Sequence, residues 1–156
     1  MIQPNDLRIG NIIWDDVCNE LHGNGLVKIK SLSETIAHYT SLIKSDFGKF
    51  NSGVAYINAK GVLITPEILE NFGFKKWGRD DMPRTVSYEL AGKIHIFPAN
   101  SFCDFEGFGF LHYKLSNFEN NKDESARFKF KYLHQLQNIY YLATSEELIY
   151  KNETND

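Results

Sequence analysis

The chain has 156 residues, the length of one ordinary domain, and its 42% apolar content with 12 Phe, 8 Tyr and 2 Trp excludes a disordered chain. Its net charge of −3 comes from the last residues, where Glu146, Glu147, Glu153 and Asp156 outnumber Lys151; the balanced remainder excludes the broad basic field of a sequence-independent nucleic-acid binder. The two cysteines, Cys18 and Cys103, form no CxxC pair, and no stretch approaches the ~20 apolar residues of a membrane span, so a cytoplasmic protein without disulfide framework, cofactor or membrane association is expected.

In chain order, LRIGNIIWD at 7–15 predicts a strand, with Gly10-Asn11 at a bulge or tight bend. Residues 15–25 read as a polar loop. Residues 26–32, LVKIKSL, alternate Val27 and Ile29 against Leu26, Lys28 and Lys30, the pattern of a strand wetted on one side. Residues 35–43 fit either a helical stripe through Ile36, Tyr39, Leu42 and Ile43 or a strand, and the strand is preferred. A turn region at 48–53 precedes VAYI at 54–57, a further short strand, and the chain turns again at 58–61.

Residues 66–72 predict a helix, with Thr65 as N-cap, Pro66 in the first helical position and Glu67 at the positive end. Gly73 in a left-handed conformation would close it, folding Phe74 back on Leu69. KKWGRDDMPR at 75–84 reads as a charged connector. Beyond it TVSYEL and KIHIFP flank Ala91-Gly92 as a hairpin, and segments near 108–115 and 127–133 supply two more alternating strands, separated by an exposed polar loop at 116–125. Residues 132–143, YLHQLQNIYYLA, set Leu133, Leu136, Tyr140 and Ala143 on one stripe, which predicts a helix that covers a sheet. Thr144 and Glu147 then offer a capping box or a turn before a frayed tail at 151–156.

These elements predict an α+β fold: short antiparallel strands forming a small SH3-like barrel in the amino-terminal half, a short helix, then an antiparallel sheet covered by a carboxy-terminal helix. Residues 1–150 are expected to form a single compact domain, with subdomains over approximately 1–76 and 84–150.

Three segments, LRIGN at 7–11, LITPEILENFGF at 63–74 and YLHQLQNIYYLATSEEL at 132–148, together resemble a family of short proteins from phages, prophages and mobile elements of Bacteroidota. The third segment is the most specific, with a hydrophobic residue, HQLQN, an aromatic pair, a Thr-containing turn and EEL. This chain departs from the family pattern at Ala143 and Ser145 and in an expanded region at 33–53. The resemblance implies a bacterial host cell and an accessory role, and it implies no reaction, cofactor or catalytic residue.

His134, Gln137, Asn138 and Tyr141 fall at i, i+3, i+4 and i+7 and share one face of the last helix. Such a row binds a ligand or partner, or else it satisfies backbone groups of the sheet and fixes the helix in place; the second reading is favoured because buried polar groups need partners. Asp16, Cys18, Glu20 and His22 mix metal-ligand types at period two, an alternation that carries no meaning in a loop. Cys103 with His95 or His112 and Asp104 supplies the types of a thiolate, its base and an orienting acid, although nothing in their spacing demands assembly. No GxSxG, HExxH, Walker or GxGxxG motif is present. Arg127, Lys129 and Lys131 alternate with Phe128 and Phe130 and, with Lys75, Lys76, Arg79 and Arg84, offer a patch for nucleic acid or an acidic protein. Asp80, Asp81, Asp123 and Glu124 beside them favour an edge strand guarded by charge.

The expectation is therefore a non-enzymatic phage or mobile-element accessory protein that binds a macromolecular partner, a host or phage protein first. A nucleic-acid-binding module built on an SH3-like barrel and the basic strand is the alternative, and a small metal- or Cys-dependent hydrolase the second alternative.

Overall fold

The computed structural model describes residues 2–42, 50–79, 81, 86–90, 94–98, 108–113 and 130–151. The fold is α+β, with two four-stranded antiparallel sheets and three α-helices among the described residues. It divides into two compact units, Met1–Leu63 with Tyr132–Asp156, and Ile64–Lys131. The division therefore does not fall at the 75–84 connector: the second unit is inserted into the first. The first unit's two ends come together at the insertion, where Leu63 and Tyr132 form an antiparallel bridge and the Leu133 N–H donates to the Val62 carbonyl at 2.8 Å.

In the first unit a 3-10 turn at Pro4–Asp6 leads to β1 (Ile12–Trp14), helix α1 (Asp16–His22), β2 (Leu26–Leu32), β3 (Ile36–Ser41) and β4 (Asn51–Ala55), paired in the order β1-β2-β3-β4. The expected strand at 7–15 is confined to Ile12–Trp14, because Gly10 takes a positive φ of 93° and bends the chain, donating its N–H to the Ile29 carbonyl at 2.9 Å. The expected polar loop is α1 instead. Asp15 caps it by accepting the Val17 N–H at 3.2 Å, and Gly23 ends it at φ 70°, the usual stop for a helix whose C′ residue must turn left-handed.

Strand β2 matches the expected 26–32, with Val27 and Ile29 buried and the lysines turned outwards. β3 settles the 35–43 ambiguity in favour of a strand over Ile36–Ser41, and β4 begins at Asn51, inside the expected turn. Ile2, Leu7, Ile13, Cys18, Val27, Ile29, Ala37, Tyr39, Val54, Tyr56 and Ala59 form the core under this sheet. Ile12 and Ile13 point to opposite faces of β1, yet both are buried, since helix α3 (Leu133–Thr144) packs on β1. The helix expected to cover a sheet thus covers the first.

In the second unit α2 (Pro66–Asn71) follows its Thr65 cap, whose Oγ accepts the Ile68 N–H at 3.3 Å. It closes as expected: the Phe74 N–H donates to the Leu69 carbonyl at 3.0 Å and the Gly73 N–H to the Glu70 carbonyl at 2.9 Å, the paired bonds of a Schellman closure, with Leu69 and Phe74 both buried. Strand β5 (Lys75–Trp77) occupies the start of the expected connector and pairs with β6 (Ser87–Leu90), which pairs with β7 (Ile94–Pro98) and then β8 (Phe108–Tyr113). Tyr88, Ile94 and Ile96 are buried on one side of this sheet. The expected loop at 116–125 and most of the expected strand at 127–133 lie outside the described residues, and Phe130 is buried.

Candidate functional site

The polar face of α3 closes on the chain's amino-terminal segment. Gln137, 1% exposed, uses both ends of its amide: Oε1 accepts the Ile12 N–H at 2.8 Å and Nε2 donates to the Gly10 carbonyl at 3.3 Å. It thereby acts as a short surrogate strand, satisfying backbone groups of β1 and the bend before it. The next residue, Asn138, accepts at Oδ1 from Arg8 Nε and Asn11 Nδ2, both at 2.9 Å, while its Nδ2 donates to the Asp6 carbonyl at 2.8 Å.

Arg8 is the hub of this clamp. Its guanidinium donates to both carboxylate oxygens of Glu147, at 2.5 and 2.9 Å, and to the Gln137 carbonyl at 3.2 Å, and it lies 4.3 Å from the centroid of the Tyr141 ring. A planar fork against a carboxylate, with its flat face on an aromatic ring, is an arrangement available to arginine and not to lysine. His134, 2% exposed, lies parallel to the Tyr132 ring at 5.7 Å between centroids. Its Nδ1 is buried without a hydrogen-bond partner. Burial pulls its imidazole down to about 4, partly opposed by the Asp6 carboxylate.

Of the four residues read from the helix face, Gln137, Asn138 and Tyr141 meet the protein's own amino-terminal segment, while His134 stacks on Tyr132. Arg8, Asn11 and Glu147 complete the set, and the sequence reading gave none of them a place in a site. The segments LRIGN at 7–11 and HQLQN…EEL at 134–148 are the two sides of this clamp.

Asp16, Cys18, Glu20 and His22 sit on a helix, so period-two spacing scatters them. Cys18 is buried, its Sγ donating to the Asn24 carbonyl at 3.4 Å, and burial followed by the charge of Asp15 pushes its thiol up, away from thiolate chemistry. Asp16 instead pairs with Lys60 at 2.5 Å and accepts from the Trp14 indole at 3.0 Å, contacts that hold its carboxyl below the usual range. Beneath α1 the Tyr39 hydroxyl donates to the buried Asp15 carboxylate; burial first, and this bond second, push the phenol up. Among the described side chains no group of three His, Cys, Asp or Glu is placed to hold a metal ion.

Of the cationic set, Arg79 makes two bonds to Asp81, at 3.0 and 2.6 Å, and Lys75 stands opposite Glu89 in the β5–β6 register. Lys131 is half-buried and has a partner, while Arg84, Arg127 and Lys129 lie outside the described residues, as do Cys103 and Asp104. Positions 95 and 112 are paired in the β7–β8 register. No helix among the described residues is long and apolar enough to cross a membrane. Comparisons with protein-family models, with curated proteins and with solved structures return no match to this chain.

Proposed function

We propose that this chain is a non-enzymatic accessory protein of phage or mobile-element biology that binds a host or phage protein through exposed apolar side chains. The observation that carries the reading is a division of labour between residues. Gln137 and Asn138 of α3 are bonded to the chain's own backbone, whereas Trp77, 56% exposed, and Val17 and Leu21, one turn apart on α1 and 57% and 64% exposed, face solvent. Exposed tryptophan is the side chain most enriched among binding hot spots. The resemblance of the clamp's two sides to phage and mobile-element proteins supports the setting. The nucleic-acid reading has weaker support, because Arg79 is neutralised by Asp81 and the chain's charge is balanced outside its tail.

The test is recovery of a bacterial host or phage protein on the immobilised chain, compared between the unsubstituted protein and Trp77→Ala or Val17→Asp/Leu21→Asp. One protein species recovered by the unsubstituted chain and lost with one of the variants supports the reading. Recovery of nothing above background overturns it, and so does recovery of nucleic acid alone that falls steeply with salt.

A further inference from the structure

The two edges of the first sheet differ. At β1 the groups that point away from β2 are occupied: the Ile12 N–H and the Gly10 carbonyl bond to the Gln137 amide, and Trp14 exchanges backbone bonds with Lys60 at 2.9 and 3.1 Å. The other edge is β4. Bonds in an antiparallel ladder join alternate residues. The Phe50 carbonyl accepts the Ser41 N–H at 2.7 Å and the Tyr56 N–H donates to the Thr35 carbonyl at 3.2 Å, so Phe50, Ser52, Val54 and Tyr56 bond inwards to β3. Asn51, Gly53 and Ala55 therefore turn their backbone groups outwards. The Ala55 carbonyl accepts the Asn58 and Ala59 N–H groups at 2.8 and 3.1 Å. Among the described residues nothing pairs with the Ala55 N–H or with either backbone group of Asn51 and Gly53, and Asn51, Ser52 and Gly53 are exposed.

Edges left open are ordinarily guarded by charge or proline. β5, an edge of the second sheet, carries exposed Lys75 and Lys76, whereas β4 reads NSGVA, with neither guard. The missing charge bears on the kind of partner. Across a two-fold axis a strand pairs antiparallel with its own copy, so a charged edge repels itself and an uncharged one does not. Gly53 stands at the middle of β4, where a Cβ would lie 2.8 Å from Ile36 Cγ2 and 3.2 Å from His38 Nδ1. The glycine gives these β3 side chains room and leaves the centre of the edge bare, so that another backbone can approach closely.

We propose that the outer edge of β4 joins two copies of this chain, their β4 strands antiparallel with Gly53 on the two-fold axis and their first sheets continuous. In this register Gly53 exchanges N–H···O bonds with Gly53 of the second copy, and the Ala55 N–H of each copy reaches the Asn51 carbonyl of the other. Asn51 and Ala55 of opposite copies then stand directly opposite each other. Such an edge buries little side-chain surface compared with a permanent interface, so the association is concentration-dependent. It stands independently of the partner reading, which rests on Trp77, Val17 and Leu21.

The test uses the full chain, by sedimentation over a wide range of concentration and by amide hydrogen exchange. A monomer–dimer equilibrium is expected, with the Gly53 and Ala55 amides exchanging more slowly as the dimer forms. Asn51→Lys/Ala55→Lys sets lysines directly opposite each other on both sides of the axis and should raise the dimer Kd about tenfold. Asn51→Lys/Ala55→Glu sets lysine opposite glutamate at the same positions and should restore the dimer. A chain that stays monomeric up to millimolar concentration leaves the edge to a strand of some other protein and overturns the proposal. So does a dimer in which the Gly53 and Ala55 amides exchange as fast as in dilute solution, or one that both folded double variants form equally well. If either variant fails to fold, the exchange of the unsubstituted chain decides alone.

Discussion

Arg8 and Glu147, 139 positions apart, meet in a two-bond pair whose guanidinium also covers the Tyr141 ring. The pair ties the segment that enters the first sheet to the turn that leaves the last helix. It is part-exposed, so its Coulombic worth is small, and its value lies in the number of bonds that converge on one planar group. Arg8→Ala should therefore lower stability by about 1–3 kcal/mol, the cost of orphaning the groups it joins, whereas Glu147→Gln should cost about 0.5–1 kcal/mol. Arg8→Lys should not restore the loss, because lysine has no fork. Urea unfolding followed by far-UV circular dichroism measures all three.

Gln137 is a stricter case because nothing around it is wet. Gln137→Leu keeps the volume and removes the partners of the Ile12 N–H and the Gly10 carbonyl, at roughly 1–3 kcal/mol for each orphaned buried group. Hydrogen exchange of the Ile12 amide should accelerate in the folded variant. An unchanged rate would mean that Gln137 does not protect β1.

His134 predicts a pH dependence of defined sign. Its imidazole is held at about 4 in the folded chain against an ordinary value of 6.5. Between those values the unfolded chain binds a proton that the folded chain refuses, so stability is full above about pH 6.5 and is lost as pH falls towards 4. The loss is on the order of 3 kcal/mol. Urea midpoints from pH 7.5 to 4.5 should fall for the unsubstituted protein, and the fall should be markedly shallower in His134→Leu.

Gly61 packs against the ring of Tyr132, the residue that caps α3. A Cβ there would lie 2.6 Å from two ring carbons of Tyr132, closer than such atoms ever sit. Gly61→Ala should destabilise by about 1–3 kcal/mol through overpacking. The double variant Gly61→Ala/Tyr132→Ala should recover part of that loss, a coupling that a thermodynamic cycle measures directly.

Much of the secondary structure was legible where its cause is local. The Thr65-Pro66 start and Gly73 stop of α2 are written within ten residues, and the alternation of Val27 and Ile29 is enough to define β2. Helix α1 was missed although its Asp15 cap and Gly23 stop are equally local. Cys18 is the single buried residue of that helix, so no apolar stripe announces it. Strand β5 was missed because Lys75, Lys76 and Trp77 are all exposed, and its identity comes from pairing with β6. The α3 polar row was read from its spacing, and for Gln137 its favoured role of satisfying backbone groups of the sheet as well, but the particular partners were not: they lie more than 120 positions away in sequence, beyond any local pattern.

The bridge between Leu63 and Tyr132 also has a consequence in time. A ribosome delivers β1 before its covering helix, which follows only after the whole of Ile64–Lys131 has been made, a delay of several seconds at about 5–20 residues per second. The inserted unit is therefore available in full while the first sheet still waits with one face of β1 bare. In a nascent chain, the Ile12 side of that strand is the surface a chaperone would meet.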